Sequence, residues 1–442
     1  MNTHNRYLLI CALVIAVAAT AWGQTQAAKL VPADGMLEDH LGQAVAISGD
    51  VAAIGVQLSD AEGENSGAVY VYRRNGEAWP QEAKLTASDA GCSDRFGAAV
   101  ALVGEDMLLV GAPEDDDIAP NSGAVYIFRY ANGVWTQRQK ITAYDTQADA
   151  LFGRKLDADG ERVIIGTSGI EYATEYPVGV YVYWYSGSQW LREAKLTPPA
   201  EFPTEIEDMS VAIDGDLAVI GAPFDDGADR DCGSVLLYQF SGETWDFLTK
   251  LTPDEPVKLG MFGRMVAASD GTLVVDRFEV RETPEGWEQN LAFPSGVSVC
   301  FDQGVVTIGS PITGAGDIGT AHRYRYLNDL RYPIGTLNPD DGAAWDAFGS
   351  AVAATPDYVI VGAMRDDDNG SNSGSAYVFA IERCQGDVNG DHLINLDDLA
   401  QMLGHYGMTS GATYELGDLD EDGDIDLDDL AEMLSVYGDP CP

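Results

Sequence analysis

The sequence predicts an all-β fold, a seven-bladed β-propeller of four-stranded antiparallel blades whose N-terminal strand closes the last blade, followed by a small α-helical module. Three observations carry this. One unit, FGAAVALVGEDMLLVGAPEDDDIAPNSGAVYIFRYANGVWTQRQKI from Phe96 to Ile141, recurs through most of the 442 residues. Its four apolar runs (AAVALV, MLLVGA, AVYIF and VWTQRQKI) are separated by Gly, Asp, Pro and Asn clusters, as strands joined by turns are. The composition then changes abruptly: from Cys384 onward there are 15 Asp and Glu and no Lys or Arg.

A single four-stranded sheet has two faces and two open edges, so it buries its apolar side only by stacking on its own copies. The units open at Leu41-Gly42, Phe96-Gly97, Phe152-Gly153, Phe262-Gly263 and Phe348-Gly349. Two more, EDMSVAIDGDLAVIGAP and SGVSVCFDQGVVTIGSP, lack the pair but keep its flanks, which places the equivalents of Phe at Glu207 and Ser295. The intervals run from 53 to 56 residues, with one of 33 after Phe262. That is seven units, at the period of a propeller blade. The short fifth unit has lost the loop after its second strand, which predicts a notch in one rim. Trp79, Trp135, Trp190, Trp245 and Trp287 recur at the start of the fourth strand and are read as inter-blade packing.

The last unit stops at Ile381 without a fourth strand, and the missing piece is at the other end. Lys29-Leu30 reads like Lys84-Leu85, and Leu30 precedes Leu41 by the same 11 residues that separate Leu85 from Phe96 and Ile141 from Phe152. The N-terminal segment is therefore expected to pair as the outer strand of the seventh blade, which removes strand edges that invite aggregation. Over residues 28–381 the pattern resembles the FG-GAP repeat, the blade motif of integrin α-subunit propellers and of many secreted bacterial proteins. Gly111-Ala112-Pro113 and Gly221-Ala222-Pro223 carry its second element, with variants Gly309-Ser310-Pro311 and Gly362-Ala363-Met364. The resemblance implies the fold, and an adhesion or binding role.

Ahead of the repeats, Arg6 precedes the apolar run LLICALVIAVAATAW and then small residues, as in a signal peptide (residues 1–23) with cleavage after Gly23 or Ala27. The run is short for a membrane span, so a secreted or cell-surface protein is expected. Cys11 follows Ile10 rather than a small residue, which argues against a lipid anchor. The net charge of −46 argues against nucleic acid or an anionic membrane as partner. Cys384 and Cys441 bracket the final segment and are expected to form a disulfide; Cys300 is read as a buried apolar residue.

Acidic clusters follow the second strand at Glu114-Asp115-Asp116-Asp117, Asp225-Asp226 and Asp366-Asp367-Asp368. Their spacing varies from loop to loop, so they are read as turn formers rather than calcium ligands. The calcium loops of integrins fall between the first and second strands, where this chain has only tight links (VGEDM, SGDVA, DGDLA), so those sites are not carried over. His40, His322, His392 and His405 are each alone in their local sequence, and no G-x-S-x-G, H-E-x-x-H, phosphate loop or C-x-x-C occurs. No catalytic residue is assigned, and a non-enzyme is expected.

The sharpest chemical signal lies at the C-terminus, in DVNGDHLINLDDLAQMLGHYG from Asp387 and DLDEDGDIDLDDLAEMLSVYG from Asp418. Each opens with twelve residues whose oxygens are spaced for one Ca²⁺ ion. The first set is Asp387, Asn389, Asp391, the Leu393 carbonyl, Asn395 and Asp398. The second is Asp418, Asp420, Asp422, the Asp424 carbonyl, Asp426 and Asp429. Gly423 makes the sharp turn at position 6, whereas the first loop has His392 there and is expected to be the weaker site. Ile394 and Ile425 should pack the loops together, LAQML and LAEML read as short helices, and so much like charge implies folding with two bound calcium ions. Residues 384–442 resemble a type I dockerin, an EF-hand-like calcium module that docks onto a cohesin. In that family partner choice rests on the loop positions occupied here by Leu396-Asp397 and Leu427-Asp428; the matched pairs imply docking in either of two orientations.

Together these features describe a secreted, non-catalytic binding protein: a propeller facing an extracellular protein or glycan, and a calcium-dependent tether to a cohesin-like partner. The alternatives are a polysaccharide-active hydrolase or lyase with its site in the central channel, and a structural protein of a cell wall or matrix.

Overall fold

The computed structural model describes residues 24–35, 38–145, 147–168, 179–199, 208–226, 230–284, 286–311, 316–327, 330–381, 385–388, 394–420 and 422–438. They group into two compact units, one ending at 381 and one beginning at 385. Residues 1–23, Cys384 and Cys441 lie outside the described residues, so the predicted leader and disulfide have no structural counterpart here.

The first unit is seven four-stranded sheets, each strand antiparallel to its neighbours and each sheet ordered as the chain runs, except the last. In blade 2 the strands are Ala99–Val103, Met107–Ala112, Ala124–Ala131 and Val134–Ile141. The second of these is buried at all six positions and the third at its first five, because both faces of a middle strand meet neighbouring blades. The fourth lies on the outer edge and mixes exposed residues with buried Trp135 and Ile141. Such sidedness explains why the inner runs are continuous Val, Leu and Ile while the outer run is polar.

The core lies between blades. Val51, Ala53, Val69 and Val71 of blade 1 form one cluster with Phe96, Leu108, Val110, Tyr126 and Trp135 of blade 2. The recurring tryptophans join blades, as expected. Trp135 Nε1 donates to Glu82 Oε2 of the preceding blade at 2.8 Å, Trp245 does the same to Glu193, and Trp79 meets Tyr358 edge-on. Trp79 itself sits just ahead of its strand, Gln81–Leu85.

Each junction that carries the Phe-Gly pair is built from backbone. Ser93, Arg95 and Phe96 donate their N–H groups to the carbonyls of Glu64, Asn65 and Ser66, in the loop after the second strand of the preceding blade. Asp149, Leu151 and Phe152 repeat this onto Pro120, Asn121 and Ser122; Leu259, Met261 and Phe262 onto Arg230, Asp231 and Cys232; Glu38, His40 and Leu41 onto Ser371, Asn372 and Ser373. Aiming three such donors at one loop requires left-handed backbone three residues and one residue before the Phe position: φ is 67° at Ser93 and 56° at Arg95, 63° at Glu38 and 54° at His40. The units read as lacking the pair fill the space with other side chains. Met209 stands against Gly166, and Phe293, 4% exposed, packs with Met265, Val274 and Ile308.

Ring closure follows the sequence expectation. Gln24–Leu30 pairs antiparallel with Ser375–Ile381, with Lys29 opposite Tyr377 and Leu30 opposite Ala376, so the outer strand of blade 7 comes from the N-terminus. The strand starts at Gln24, four residues before the boundary read at residue 28. In blade 5, Thr272–Val275 and Phe278–Thr283 are joined by Asp276 and Arg277 alone, and the long loop is missing from the rim as predicted. Asp276 instead ties down the opening of its own blade: its carboxylate accepts from the N–H groups of Gly263 (2.7 Å) and Met265 (3.0 Å), and burial pushes it up to about 6.

The second unit holds helices α1 (Leu396–His405) and α2 (Leu427–Val436), capped by Asn395 and Asp426 with reciprocal bonds to Asp398 and Asp429. Ile394, Ile425, Met402 and Met433 share its small core, as the sequence reading expected.

Two changes test the closure. At Gly374 (φ 79°) a Cβ would stand 2.2 Å from the Leu41 carbonyl oxygen; Gly374→Ala is expected to lower stability by about 1–3 kcal/mol, read from the urea midpoint. Deleting residues 24–30 bares the edge of Ser375–Ile381 and should produce concentration-dependent aggregation in light scattering.

Candidate functional site

Antiparallel strands put the loops between second and third strands on the same rim as the links between blades. The acidic clusters of this rim are consumed locally. Asp116 Oδ1 accepts from the N–H of Asn121 at 2.6 Å, Asp226 from Asp231 at 3.0 Å and Asp367 from Asn372 at 2.7 Å, each closing a turn. Their neighbours Asp115, Asp225 and Asp366 are 2–3% exposed and each meets a lysine of the outer strand: Lys140 at 2.8 Å, Lys250 at 2.7 Å and Lys29 at 2.9 Å. The geometry is that of turn formers, as read from the sequence.

A second layer was not anticipated. Tyr70, Tyr126, Tyr181 and Tyr377 lie directly across the sheet from Lys84, Lys140, Lys195 and Lys29, with each ammonium 4.9–5.2 Å from the ring centroid. Each tyrosine hydroxyl donates to an aspartate that the same lysine contacts: Asp34, Asp115, Asp145 and Asp366. Burial alone would lower Lys29, but Asp341, Asp368 and Asp366 outweigh it and hold the amine above the usual lysine range. The recurring A-V-Y and K-L pairs were the signal available; their cross-strand register was not.

The seven inner strands enclose a central cavity of about 350 Å³ lined mainly by Ala and Val, with Asp157, Asp302 and Cys300 among them. Cys300, read from the sequence as a buried apolar residue, is half-buried on this cavity, and desolvation pushes its thiol up to about 12. Asp157 is walled in by these strands and is half-buried, with part of its surface on the cavity. Its Oδ2 accepts from the Ile213 N–H at 2.9 Å, and desolvation, with Asp159 and Asp214 nearby, pushes it up to about 7. Desolvation and the charges of Asp159 and Asp270 also raise Asp302.

In the second unit the structure brings the second acidic loop together as two trios, Asp418 with Asp420 and Asp422, and Asp424 with Asp426 and Asp429; within each, one carboxylate oxygen per residue lies within 4.8 Å of the others. Asp418 and Asp429 are 2% and 1% exposed, held by backbone N–H groups: Gly423 onto Asp418 Oδ2 at 3.0 Å, Leu419 onto Asp429 Oδ1 and Asp426 onto Asp429 Oδ2, both at 2.7 Å. Gly423 takes φ 93°, the left-handed turn expected at position 6. The Asp424 carboxylate stands in the second trio, in addition to the carbonyl that the spacing assigns. Two buried carboxylates with only oxygen donors around them suit a hard divalent cation, and calcium is compatible with both trios. Of the first loop, Asp387 and Asp398 are buried and Asn395 caps α1, while Asn389, Asp391 and Leu393 lie outside the described residues. Leu396 and Leu427, the first residues of the two helices, are 67% and 68% exposed, with Asp397 and Asp428 beside them also exposed.

A model of the FG-GAP repeat matches residues 24–72, 79–128, 135–183, 190–238 and 334–379, over half of the chain. The matched stretches pair one blade's outer strand with the next blade's first three, beginning with the N-terminal strand. None falls in 239–333, which holds the notched blade and the one after it. No curated protein is significantly similar to the chain.

Two outcomes follow from the charges. Lys140→Met leaves Asp115 buried without its cation and should cost about 3 kcal/mol, read by denaturant unfolding at pH 7. Asp157 keeps its proton to higher pH in the folded chain than in the unfolded one, so the folded state loses stability as pH rises from about 4 towards 7. Asp157→Asn removes that loss: its Tm at pH 8 is expected about 2–4 °C above wild type, converging with it near pH 4.

Proposed function

The chain belongs to the FG-GAP repeat family, and from that premise we propose that it is an exported, non-catalytic adhesion protein whose propeller offers a binding rim and whose C-terminal unit is a calcium-dependent tether. The single observation that carries the tether is the matched pair of capped helices, each opening on an exposed leucine directly after an acidic loop. In the second loop Asp418, Asp420, Asp422, Asp424, Asp426 and Asp429 would hold one calcium ion. In the first, Asp387, Asn389, Asp391, the Leu393 carbonyl, Asn395 and Asp398 would hold another. Bound calcium neutralises carboxylates that otherwise repel one another, and so fixes the angle at which each helix presents its first turn.

Leu396 and Leu427 are the apolar anchors in this reading, with Asp397 and Asp428 choosing the partner, a cohesin-like domain. Residues 1–23 act as a signal peptide, so the secreted chain would begin at Gln24, the first residue of the closing strand; N-terminal sequencing of secreted material checks this. A Cys384–Cys441 bridge would clasp the ends of the tether. The binding rim is the one bearing the long loops, since those are where the blades differ in sequence while the strands repeat.

The test uses the full chain and a chain ending at residue 381 against an immobilised type I cohesin domain, in calcium and in chelator. Binding is expected only for the full chain in calcium. Leu396→Ser or Leu427→Ser alone should have little effect, because the other copy serves, and the double variant should lose at least tenfold in affinity. Binding indifferent to chelator, or to the double variant, ends the tether reading.

A further inference from the structure

One position on the loop-bearing rim breaks the repeat. Three residues before the junction Phe position the other ladders carry Glu38, Ser93, Asp149 and Leu259, with φ between 60° and 67°; blade 7 carries Trp345 at 83°. A large aromatic residue held in left-handed backbone is an outlier that stores strain. Its backbone is pinned there by the N–H bond to the Asp317 carbonyl at 3.1 Å. The ring gains nothing from the core in exchange: it is 52% exposed, against 7%, 7% and 2% for Trp79, Trp135 and Trp190.

Trp345 lines a cleft of about 390 Å³ with Glu38, His40, Arg365, Asp367 and Asn372, at the junction of the last and first blades. The polar groups are arranged in advance. Asn372 Nδ2 donates to both Glu38 oxygens at 3.1 and 3.2 Å, Ser371 Oγ donates to Glu38 Oε1 at 3.3 Å, and His40 Nε2 stands 3.5 Å from Glu38 Oε2. Two carboxylates offer acceptors, Arg365 and Asn372 offer donors, and His40 can serve as either. Charge is nearly balanced within the cleft, so nothing there selects an ion, and the field of a chain carrying −46 repels an acidic ligand. An exposed apolar plate rimmed by alternating donors and acceptors matches one ligand chemistry: a pyranose ring, with its C–H face on the indole and its hydroxyls on the rim.

We propose that the Trp345 cleft binds a neutral saccharide. The proposal rests on the binding-platform reading and gives it a site and a ligand class. The probes are cellohexaose, xylohexaose and chitohexaose, with hexagalacturonate as the acidic counterpart, each titrated into the full chain in calcium by calorimetry. At least one neutral probe is expected to bind, and hexagalacturonate is not. Trp345→Gly removes the ring and relieves the backbone, so it should unfold at or above the wild-type midpoint while losing at least tenfold in affinity; Arg365→Gln should weaken binding several-fold. A structural role for Trp345 predicts the reverse for stability. Unchanged affinity in Trp345→Gly, binding of the acidic probe alone, or no binding of any neutral probe overturns the proposal. In the last case, capture of an extracellular protein by the chain ending at residue 381 would leave the platform reading standing, and its absence would remove both.

Discussion

The ring depends on backbone meeting backbone between blades. At the Leu41, Phe96, Phe152 and Phe262 junctions three N–H groups reach three carbonyls of the preceding loop, at Phe348 two do, and the Phe behind them, buried to 0% at Phe96, Phe152 and Phe348, shields the bonds from water. The arrangement tolerates change in side chains but hardly any in backbone shape. Its left-handed residues include Glu, His, Ser, Arg, Asp, Leu, Met, Trp and Ala, so conformation recurs where sequence does not. The long loops are anchored at both ends by these ladders and can diversify between them.

Electrostatics follows the same division. A chain with 71 acidic and 25 basic residues would be expected to waste its few cations on the surface. Instead Lys29 and Lys140 lie over tyrosine rings and reach buried Asp366 and Asp115, so these two pairs are shielded from screening by salt. Much of the remaining negative charge is left on the loops of the rim and in the second unit.

Much of this was legible in the residues, and the failures are instructive. The spacing of Lys29-Leu30 to Leu41 disclosed the closure because register in a repeat is counted, not inferred from propensity. Gln24 to Ala27 were not seen as strand because QTQA is polar; the pairing comes from the partner edge, not from the segment itself. Blades 4 and 6 were placed by their flanks, yet the packing roles of Met209 and Phe293 could not be, since each fills a gap left by a lost pair. The clustering of the second acidic loop was visible through its oxygen spacing, but where the Asp424 carboxylate points depends on backbone direction. Trp345 carries no repeat signal in the sequence, because the recurring tryptophans belong to the outer strand, and only the ladder geometry gives meaning to the position three before Phe348.

Leu30 and Ala376 face each other although more than three hundred residues separate them in the chain. A polypeptide emerging from one end must therefore carry its first strand unpaired until nearly all the remaining sheets have formed, and the entropy of joining such distant segments makes this the slow event. Six blades can mature in passing, each latched to the one before. The seventh works as a clasp, so the interval before it shuts is when the nascent protein is most open to stray strand pairing, and anything that shortens that wait raises the yield of finished rings.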